Sequence, residues 1–203
     1  MSSWVTQEQD RSRHRGQFRH RVGHRWAIHR RRCRTGLITG RRQAQLSSAA
    51  AHLGLRAIPV PGDVGKPADL DRLYTGVATA GRGLDAVVAN AGSTRVARLG
   101  EISDDDLDTL LTTNVKGVVY TMQKALPLLN DRASIILLGS TTADRGRPGL
   151  RIYAAYKAAV RSLARGWANE LADRGIRVDV LVAGPTPTPG SDNLAPDRSE
   201  YFG

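Results

Sequence analysis

A tyrosine and a lysine four positions apart, preceded by a serine, are the residues of this sequence best suited to acid–base chemistry. Tyr153 and Lys157 lie in the stretch Tyr-Ala-Ala-Tyr-Lys, and Ser140 stands thirteen residues before Tyr153. On a helix, residues four apart share one face, so the Lys157 ammonium would lie beside the Tyr153 hydroxyl. A free tyrosine has a pKa near ~10, and a neighbouring ammonium lowers that pKa by favouring the phenolate. With the Ser140 hydroxyl holding a carbonyl against the tyrosine, these residues predict a proton-transfer site.

The residues around Tyr153 and Lys157 help to decide whether the pair belongs to a catalytic site or to an ordinary helix. A Tyr-x-x-x-Lys pair alone is more often part of an ordinary amphipathic helix than of a catalytic site. Here the apolar run at 134–138 predicts a strand that ends just before Ser140 and would deliver the serine to the helix. Tyr156 falls on another face of that helix, and we expect it to pack. The combination of strand, serine and helix therefore favours the catalytic interpretation.

Three motifs carry a resemblance to a known family: Ser-Ile-Ile-Leu-Leu-Gly-Ser at 134–140, Pro-Gly at 148–149 and Tyr-Ala-Ala-Tyr-Lys-Ala-Ala-Val-Arg-Ser-Leu at 153–163. Together they resemble the classical short-chain dehydrogenases/reductases, which move a hydride between NAD(P) and a carbonyl or alcohol carbon. The resemblance extends over residues 36–189. It implies that Ser140 polarises the carbonyl, that Tyr153 donates the proton, and that Lys157 tunes the tyrosine and binds the nicotinamide ribose. It further implies that Asn114 distorts its helix and holds a water that links Lys157 to solvent.

The resemblance also assigns cofactor contacts. NAD-preferring members carry an acid after the strand that here ends at Gly40, whereas this chain has Arg41-Arg42, as in members in which arginine meets the 2′-phosphate of NADP. NADP is therefore the expected cofactor, with NAD as the alternative, and a solvated helix start is the purely structural interpretation of Arg41. The remaining implied contacts are Asp63, Val64, Asn90, Ala91, Gly92, Tyr153, Lys157 and Thr188.

Strand and helix patterns alternate along the chain from residue 36 onward. We expect strands at 37–40, 56–60, 84–89, 134–138 and 177–182, and helices at 43–53, 68–80, after Ser103 and at 152–171. This alternation predicts an α/β fold with a parallel, doubly wound, Rossmann-like sheet and helices on both faces. Ligands of such sheets bind beyond the carboxyl ends of the strands.

Composition places this fold in a single domain and excludes a membrane protein. The chain has 203 residues and 40% hydrophobic content, enough for one core. No apolar run approaches the ~20 residues that a membrane span requires. The single cysteine, Cys33, excludes an internal disulfide and fits a reducing compartment, so we expect a cytoplasmic protein.

The net charge of +11 is concentrated in one segment. Residues 11–34 contain ten arginines, four histidines and no acid, and subtracting those ten charges leaves +1 for the rest of the chain. A basic arm that binds nucleic acid, an arginine-rich transit peptide and a disordered tail are the three ordinary interpretations. We expect residues 1–35 to be a disordered segment unrelated to the family, followed by a partial dehydrogenase/reductase domain at 36–203.

A frameshift is a further hypothesis for the basic segment. The family begins with a strand and a glycine-rich turn of the form Thr-Gly-x-x-x-Gly-x-Gly, which this sequence lacks. A permitted back-translation of residues 14–24, read in a frame shifted by one base, gives Thr-Gly-Gly-Asn-Ser-Gly-Ile-Gly-Leu-Ala. The hypothesis places the shift before about residue 11 and its correction near residue 35, and the coding DNA tests it.

The missing motifs limit what the catalytic residues can do. Without the glycine turn, the first strand and the helix N-terminus that hold a pyrophosphate are lost, and buried arginines could not rebuild that strand. The family pattern also continues beyond Gly203 with a last strand and much of an oligomer contact. We therefore expect an incomplete sheet, weak or absent cofactor binding, and doubtful assembly into the family's homodimers or homotetramers. The alternatives to an enzyme acting on a small carbonyl or alcohol are a non-catalytic remnant and a basic-arm nucleic-acid-binding protein.

Overall fold

The computed structural model describes residues 3–8, 33–54 and 56–184. Its strands are β1 (Ser3–Glu8), β2 (Cys33–Gly40), β3 (Ala57–Pro61), β4 (Leu84–Ala89), β5 (Leu129–Ser140) and β6 (Arg177–Ala183). Its α-helices are α1 (Gln43–Leu53), α2 (Pro67–Thr79), α3 (Asp104–Leu111), α4 (Gly117–Ala125) and α5 (Arg151–Glu170). A π-helical turn, Thr112–Lys116, joins α3 to α4, and short 3-10 turns lie at Leu126–Leu128, Thr141–Ala143 and Ala172–Arg174. The α/β fold expected from the alternating patterns is confirmed.

The six strands form one sheet in the order β3-β2-β1-β4-β5-β6. The pairs β2 with β3, β4 with β5 and β5 with β6 are parallel, so these five strands end at the same edge of the sheet. We call this the carboxyl edge. Leu84, Val87, Ile135 and Leu137 are fully buried, as expected for central strands of a parallel sheet that is covered on both faces.

The central position of the sheet differs from the sequence expectation. We expected the first strand of the family to be missing or degenerate, and in the structure β1 fills the position between β2 and β4. It runs antiparallel to both neighbours: Ser3 pairs with Thr39, Glu8 with Cys33 and Val5 with Leu37 and Val87. The cost of burying arginine does not apply to β1, because its residues precede the basic run. The basic run at 11–34, to which the transit-peptide, basic-arm and frameshift hypotheses refer, lies outside the described residues except for Cys33 and Arg34 in β2.

The strand β3 lies one residue later than the predicted strand at 56–60 and contains two prolines. Two of its residues, Pro59 and Pro61, lack the N–H that would donate a hydrogen bond to a ladder. The strand nevertheless covers Ala57–Pro61 and pairs with β2 along its whole length. It lies at the edge of the sheet, where the missing N–H groups can face away from the ladder.

Helix starts follow local signals. Ser103 caps α3, since its hydroxyl oxygen accepts a hydrogen bond of 3.2 Å from the Asp106 backbone N–H, and three aspartates occupy the first turn. The helix α2 begins with Pro67, whose fixed φ suits a first helical position. In the described part of the chain, none of the helices is both long enough and apolar enough to cross a membrane.

Candidate active site

The carboxyl end of β5 and the first turns of α5 bring Ser140, Tyr153 and Lys157 to the same edge of the sheet. Ser140 is the last residue of β5 and caps the 3-10 turn Thr141–Ala143. Gly149 turns the chain into α5 with a φ of +75°, and a Cβ there would approach Val96 Cγ1 to 2.7 Å. Glycine is needed at this turn, because both the backbone conformation and the space exclude a side chain.

The Ser140 hydroxyl is held by the turn that follows it. Ser140 Oγ accepts a hydrogen bond of 3.2 Å from the Thr142 backbone N–H. The hydroxyl oxygens of Ser140 and Thr142 are 2.7 Å apart, and both residues are 8% exposed. Thr142 was not among the sequence-predicted residues; a hydroxyl two positions after the serine was its only signal.

Lys157 is a buried amine on the face of α5 that also carries Tyr153. It is 5% exposed, and Nζ donates a hydrogen bond of 2.7 Å to the Leu138 carbonyl in β5. Nζ lies 5.7 Å from the centroid of the Tyr153 ring. Burial lowers the pKa of Lys157 from 10.5 to about 8, because the charged form loses its hydration. The expected juxtaposition of lysine and tyrosine is therefore present in the structure.

Asn114 lies in the π-helical turn between α3 and α4, where the resemblance implied a distorted helix. The side chain is fully buried at 0% exposure. Its amide nitrogen donates to the carbonyls of Leu110 (3.0 Å) and Ser93 (2.9 Å), and its Oδ1 accepts from the Ser93 N–H (3.2 Å). Asn114 thus ties the π-helical turn to the loop that follows β4.

The loop after β4 approaches Asn114 and Lys157 closely at Gly92. A Cβ on Gly92 would lie 3.0 Å from Asn114 Oδ1 and 3.6 Å from Lys157 Nζ. The absence of a side chain therefore lets the loop backbone pack closely against Asn114 and Lys157. Asn90 and Ala91, the other expected cofactor contacts here, lie directly before Gly92 at the carboxyl end of β4. The next residue, Ser93, was missed, and its hydroxyl is buried with no hydrogen-bond partner among the described residues.

The predicted adenosine contacts lie at the carboxyl ends of β2 and β3. Arg41 is exposed directly after β2, with a guanidinium nitrogen 4.0 Å from an Asp63 carboxylate oxygen. Asp63 Oδ1 accepts a hydrogen bond of 2.9 Å from the Gly65 N–H. Val64 is 6% exposed and belongs to the core, where a Cβ on Gly117 would meet its Cγ2 at 2.7 Å. The cofactor contacts of these three residues stay predictions.

Two further sequence expectations concern residues beside this site. Tyr156 was expected to pack, and its hydroxyl donates a hydrogen bond of 3.1 Å to the Leu107 carbonyl, which fixes α5 against α3. Burial, with a smaller contribution from Asp108, raises the pKa of Tyr156. Thr188 lies outside the described residues, so its contact with the nicotinamide stays a prediction.

The carboxyl edge suits the nicotinamide end of a dinucleotide better than it suits the diphosphate. The buried Lys157 amine beside Tyr153 suits the nicotinamide end. The position for the diphosphate is different, because β1 starts at the carboxyl edge instead of ending there. A strand of that direction cannot lead into a glycine turn and helix N-terminus at this edge, which is how parallel sheets of this kind bind a diphosphate.

Comparison with known proteins gives an independent result. A family model described as enoyl-(acyl carrier protein) reductase matches residues 35–201. The chain is 47% identical over 146 residues to the oxidoreductase asL5 of Sarocladium schorii, covering 71% of this chain and 59% of that protein. The chain thus spans less than two thirds of the length of that relative.

Solved structures share the fold. A short chain dehydrogenase from Burkholderia cenocepacia in complex with NADP has a TM-score of 0.73 and 33% identity, over 81% of this chain and 68% of that one. A 3-ketoacyl-(acyl-carrier-protein) reductase from Brucella melitensis complexed with NADH has a TM-score of 0.73 and 28% identity, over 78% and 68%. The family model, which matches residues 35–201, covers the part of the chain that carries Ser140, Tyr153 and Lys157.

Proposed function

The chain belongs to the short-chain dehydrogenase/reductase family, and from this membership we propose that its site transfers a hydride between NADP(H) and the carbonyl or alcohol carbon of a small molecule. The observation that carries the proposal is the placement of Lys157, buried and next to Tyr153, on the helix that faces Ser140 at the end of β5. Burying an amine lowers the stability of the folded protein. A role in proton transfer would explain why this site nevertheless contains one.

In the direction of reduction, Ser140 donates a hydrogen bond to the carbonyl oxygen and Tyr153 donates the proton that this oxygen takes up. Lys157 stabilises the phenolate that Tyr153 becomes, because a cation nearby favours the charged form. Its Nζ is held by the Leu138 carbonyl, on the same strand as Ser140, so one strand aligns both the substrate and the amine. The reverse direction uses the same groups for alcohol oxidation.

Asn114 supports the resupply of protons to Lys157. Two of its three hydrogen bonds fix the backbone of Ser93, and the third holds the Leu110 carbonyl. Ser93 directly follows Gly92, where a Cβ would lie 3.6 Å from Lys157 Nζ. The buried Ser93 hydroxyl offers a polar atom for a water next to this group. Asn114 and Ser93 together would hold the water that links Lys157 to solvent.

The residues that would hold the cofactor lie along the carboxyl edge. Lys157 and Tyr153 would bind the nicotinamide ribose, Asn90, Ala91 and Gly92 would border it, and Thr188 would bind the carboxamide. Arg41 would bind the 2′-phosphate, and Asp63 and Val64 would lie by the adenine. NADPH, when bound, supplies the hydride. Of the two similar structures described above, one is in complex with NADP and the other with NADH, which supports a nicotinamide cofactor without choosing between them.

A second candidate is a non-catalytic protein that keeps the fold. The observation that favours it is the direction of β1, which removes the usual diphosphate position. In this case the catalytic residues would remain in place while the cofactor binds too weakly for turnover. We therefore expect any activity of this chain to be reduced by weak cofactor binding.

Calorimetric titration of the chain with NADPH and NADH decides between the two candidates. The enzyme proposal predicts micromolar NADPH binding and reduction of at least one ketone in a panel, with turnover lost in Tyr153→Phe. Arg41→Ala should weaken NADPH binding but not NADH binding, and Arg42→Ala, at the neighbouring exposed position, is the matched control. Absence of binding up to millimolar cofactor would reject the enzyme proposal in favour of the non-catalytic one.

A further inference from the structure

We propose that Thr142 is a positioning residue whose hydroxyl directs the Ser140 proton toward the substrate carbonyl. The proposal rests on the hydride-transfer function proposed above, because that function requires Ser140 to donate a hydrogen bond. It adds a residue that touches neither substrate nor cofactor and acts through Ser140. The contact that carries it is the 2.7 Å separation of the two hydroxyl oxygens.

The hydrogen-bonding capacity of Ser140 limits the possible arrangements. A hydroxyl has one proton to donate and two lone pairs that accept. One lone pair of Ser140 Oγ already accepts from the Thr142 backbone N–H at 3.2 Å. If the Thr142 hydroxyl donates to the second lone pair, the Ser140 proton is left for a third partner, and a carbonyl oxygen is such a partner. If Ser140 instead donates to Thr142, its proton is no longer available to a carbonyl.

Burial and backbone geometry make this contact persistent. Both residues are 8% exposed, so water competes poorly for their hydroxyls. A separation of 2.7 Å is typical of a well-formed O–H···O hydrogen bond. The 3-10 turn fixes Thr142 two residues after Ser140, and Asp144, directly after the turn, forms a two-pronged ion pair with Arg161 of α5 at 2.6 and 2.7 Å. The turn is therefore anchored to the helix that carries Tyr153.

Steady-state kinetics with NADPH and small ketones such as cyclohexanone test the proposal in the full chain. Thr142→Val keeps the side-chain shape and the backbone N–H but removes the hydroxyl, and we expect kcat to fall about tenfold with little change in KM. Thr142→Ser restores a hydroxyl and should recover most of kcat. Thr141→Val, in the same turn, is the matched control and should leave kcat unchanged. Full kcat in Thr142→Val would overturn the proposal.

Neutron diffraction from deuterium-exchanged crystals tests the proposal without relying on turnover. We expect the deuteron of Thr142 Oγ1 to point at Ser140 Oγ, and the deuteron of Ser140 to point away from Thr142. A Ser140 deuteron directed at Thr142 would overturn the proposal even in a chain that reduces no ketone. A chain without turnover but with the expected deuteron positions would reject only the proposed enzyme function.

Discussion

Lys157 of α5 donates its hydrogen bond to the carbonyl of Leu138, two residues before Ser140 in β5. The strand that presents the serine therefore also fixes the amine that acts on the tyrosine. A shift of α5 along β5 would break the Lys157 contact and would displace Tyr153, on the same helix, relative to Ser140. The proton-transfer groups are thus coupled through one strand–helix contact.

Burial of Lys157 predicts a pH-dependent stability. The pKa in the folded protein is about 8, against an ordinary value of 10.5 for lysine, so the unfolded chain binds more protons between these values and stability rises with pH through that window. Relative to Lys157→Met, which has no titration, the wild-type free energy of unfolding should increase by about 2 kcal/mol from pH 7 to pH 9.5. Urea unfolding at the two pH values measures this difference. Lys116→Met, in the π-helical turn, is the control, and a constant difference for Lys157→Met would contradict the prediction.

Removal of the Asn114 amide should greatly lower the free energy of unfolding. Asn114→Leu leaves the Ser93 N–H and two carbonyls without their side-chain partner in a fully buried place. We expect the free energy of unfolding to fall by about 3 kcal/mol. The exposed Asn169→Ala serves as control and should change it by less than about 0.5 kcal/mol. Equal effects of the two substitutions in urea unfolding would show that the Asn114 network contributes nothing.

Gly92 predicts a steric effect on cofactor binding. In Gly92→Ala the new methyl group would lie 3.0 Å from Asn114 Oδ1 and 3.6 Å from Lys157 Nζ, so one of these groups must move. If NADPH binds, its dissociation constant should rise about tenfold, which calorimetry measures. Gly166→Ala meets nothing within 4 Å and lies inside α5, so it should leave binding unchanged and raise stability by about 0.5–1 kcal/mol. Unchanged binding in Gly92→Ala would remove Gly92 from the proposed cofactor contacts.

The Asp144–Arg161 ion pair predicts acid sensitivity of the turn after Ser140. Its guanidinium hydrogen bonds lower the pKa of Asp144 below 3.8. A carboxyl of lowered pKa contributes its stability above the unfolded pKa and loses it as pH falls through the folded pKa. Asp144→Asn should therefore destabilise the protein at pH 7, and the difference from wild type should disappear as pH falls below 3.8. A double-mutant cycle with Arg161→Gln measures the coupling, and zero coupling at pH 7 would contradict the prediction.

Sequence patterns predicted the strand–helix order well and the hydroxyl contacts poorly. The helix at 43–53 was placed correctly because its apolar residues recur at helical spacing, and the strand at 84–89 because a short apolar run marks a buried strand. The strand β1 was missed because six residues carry little pattern, and pairing direction is not encoded in it. The Ser140–Thr142 contact depends on a 3-10 turn after the strand, and hydropathy does not specify such a turn.

The last prediction concerns the antiparallel strand β1 and tests whether this strand occupies the central position of the sheet. Val5 pairs with Leu37 on one side and Val87 on the other. In Val5→Pro the backbone N–H is lost and the ring obstructs the ladder, so the free energy of unfolding should fall by about 3 kcal/mol or more. Val5→Thr keeps the N–H and the β-branched shape and should cost far less. Hydrogen exchange provides a second measurement, because amides of a central strand should exchange slowly. Rapid exchange at residues 3–8, together with a harmless Val5→Pro, would remove β1 from the sheet and with it the reason for a weakened diphosphate site.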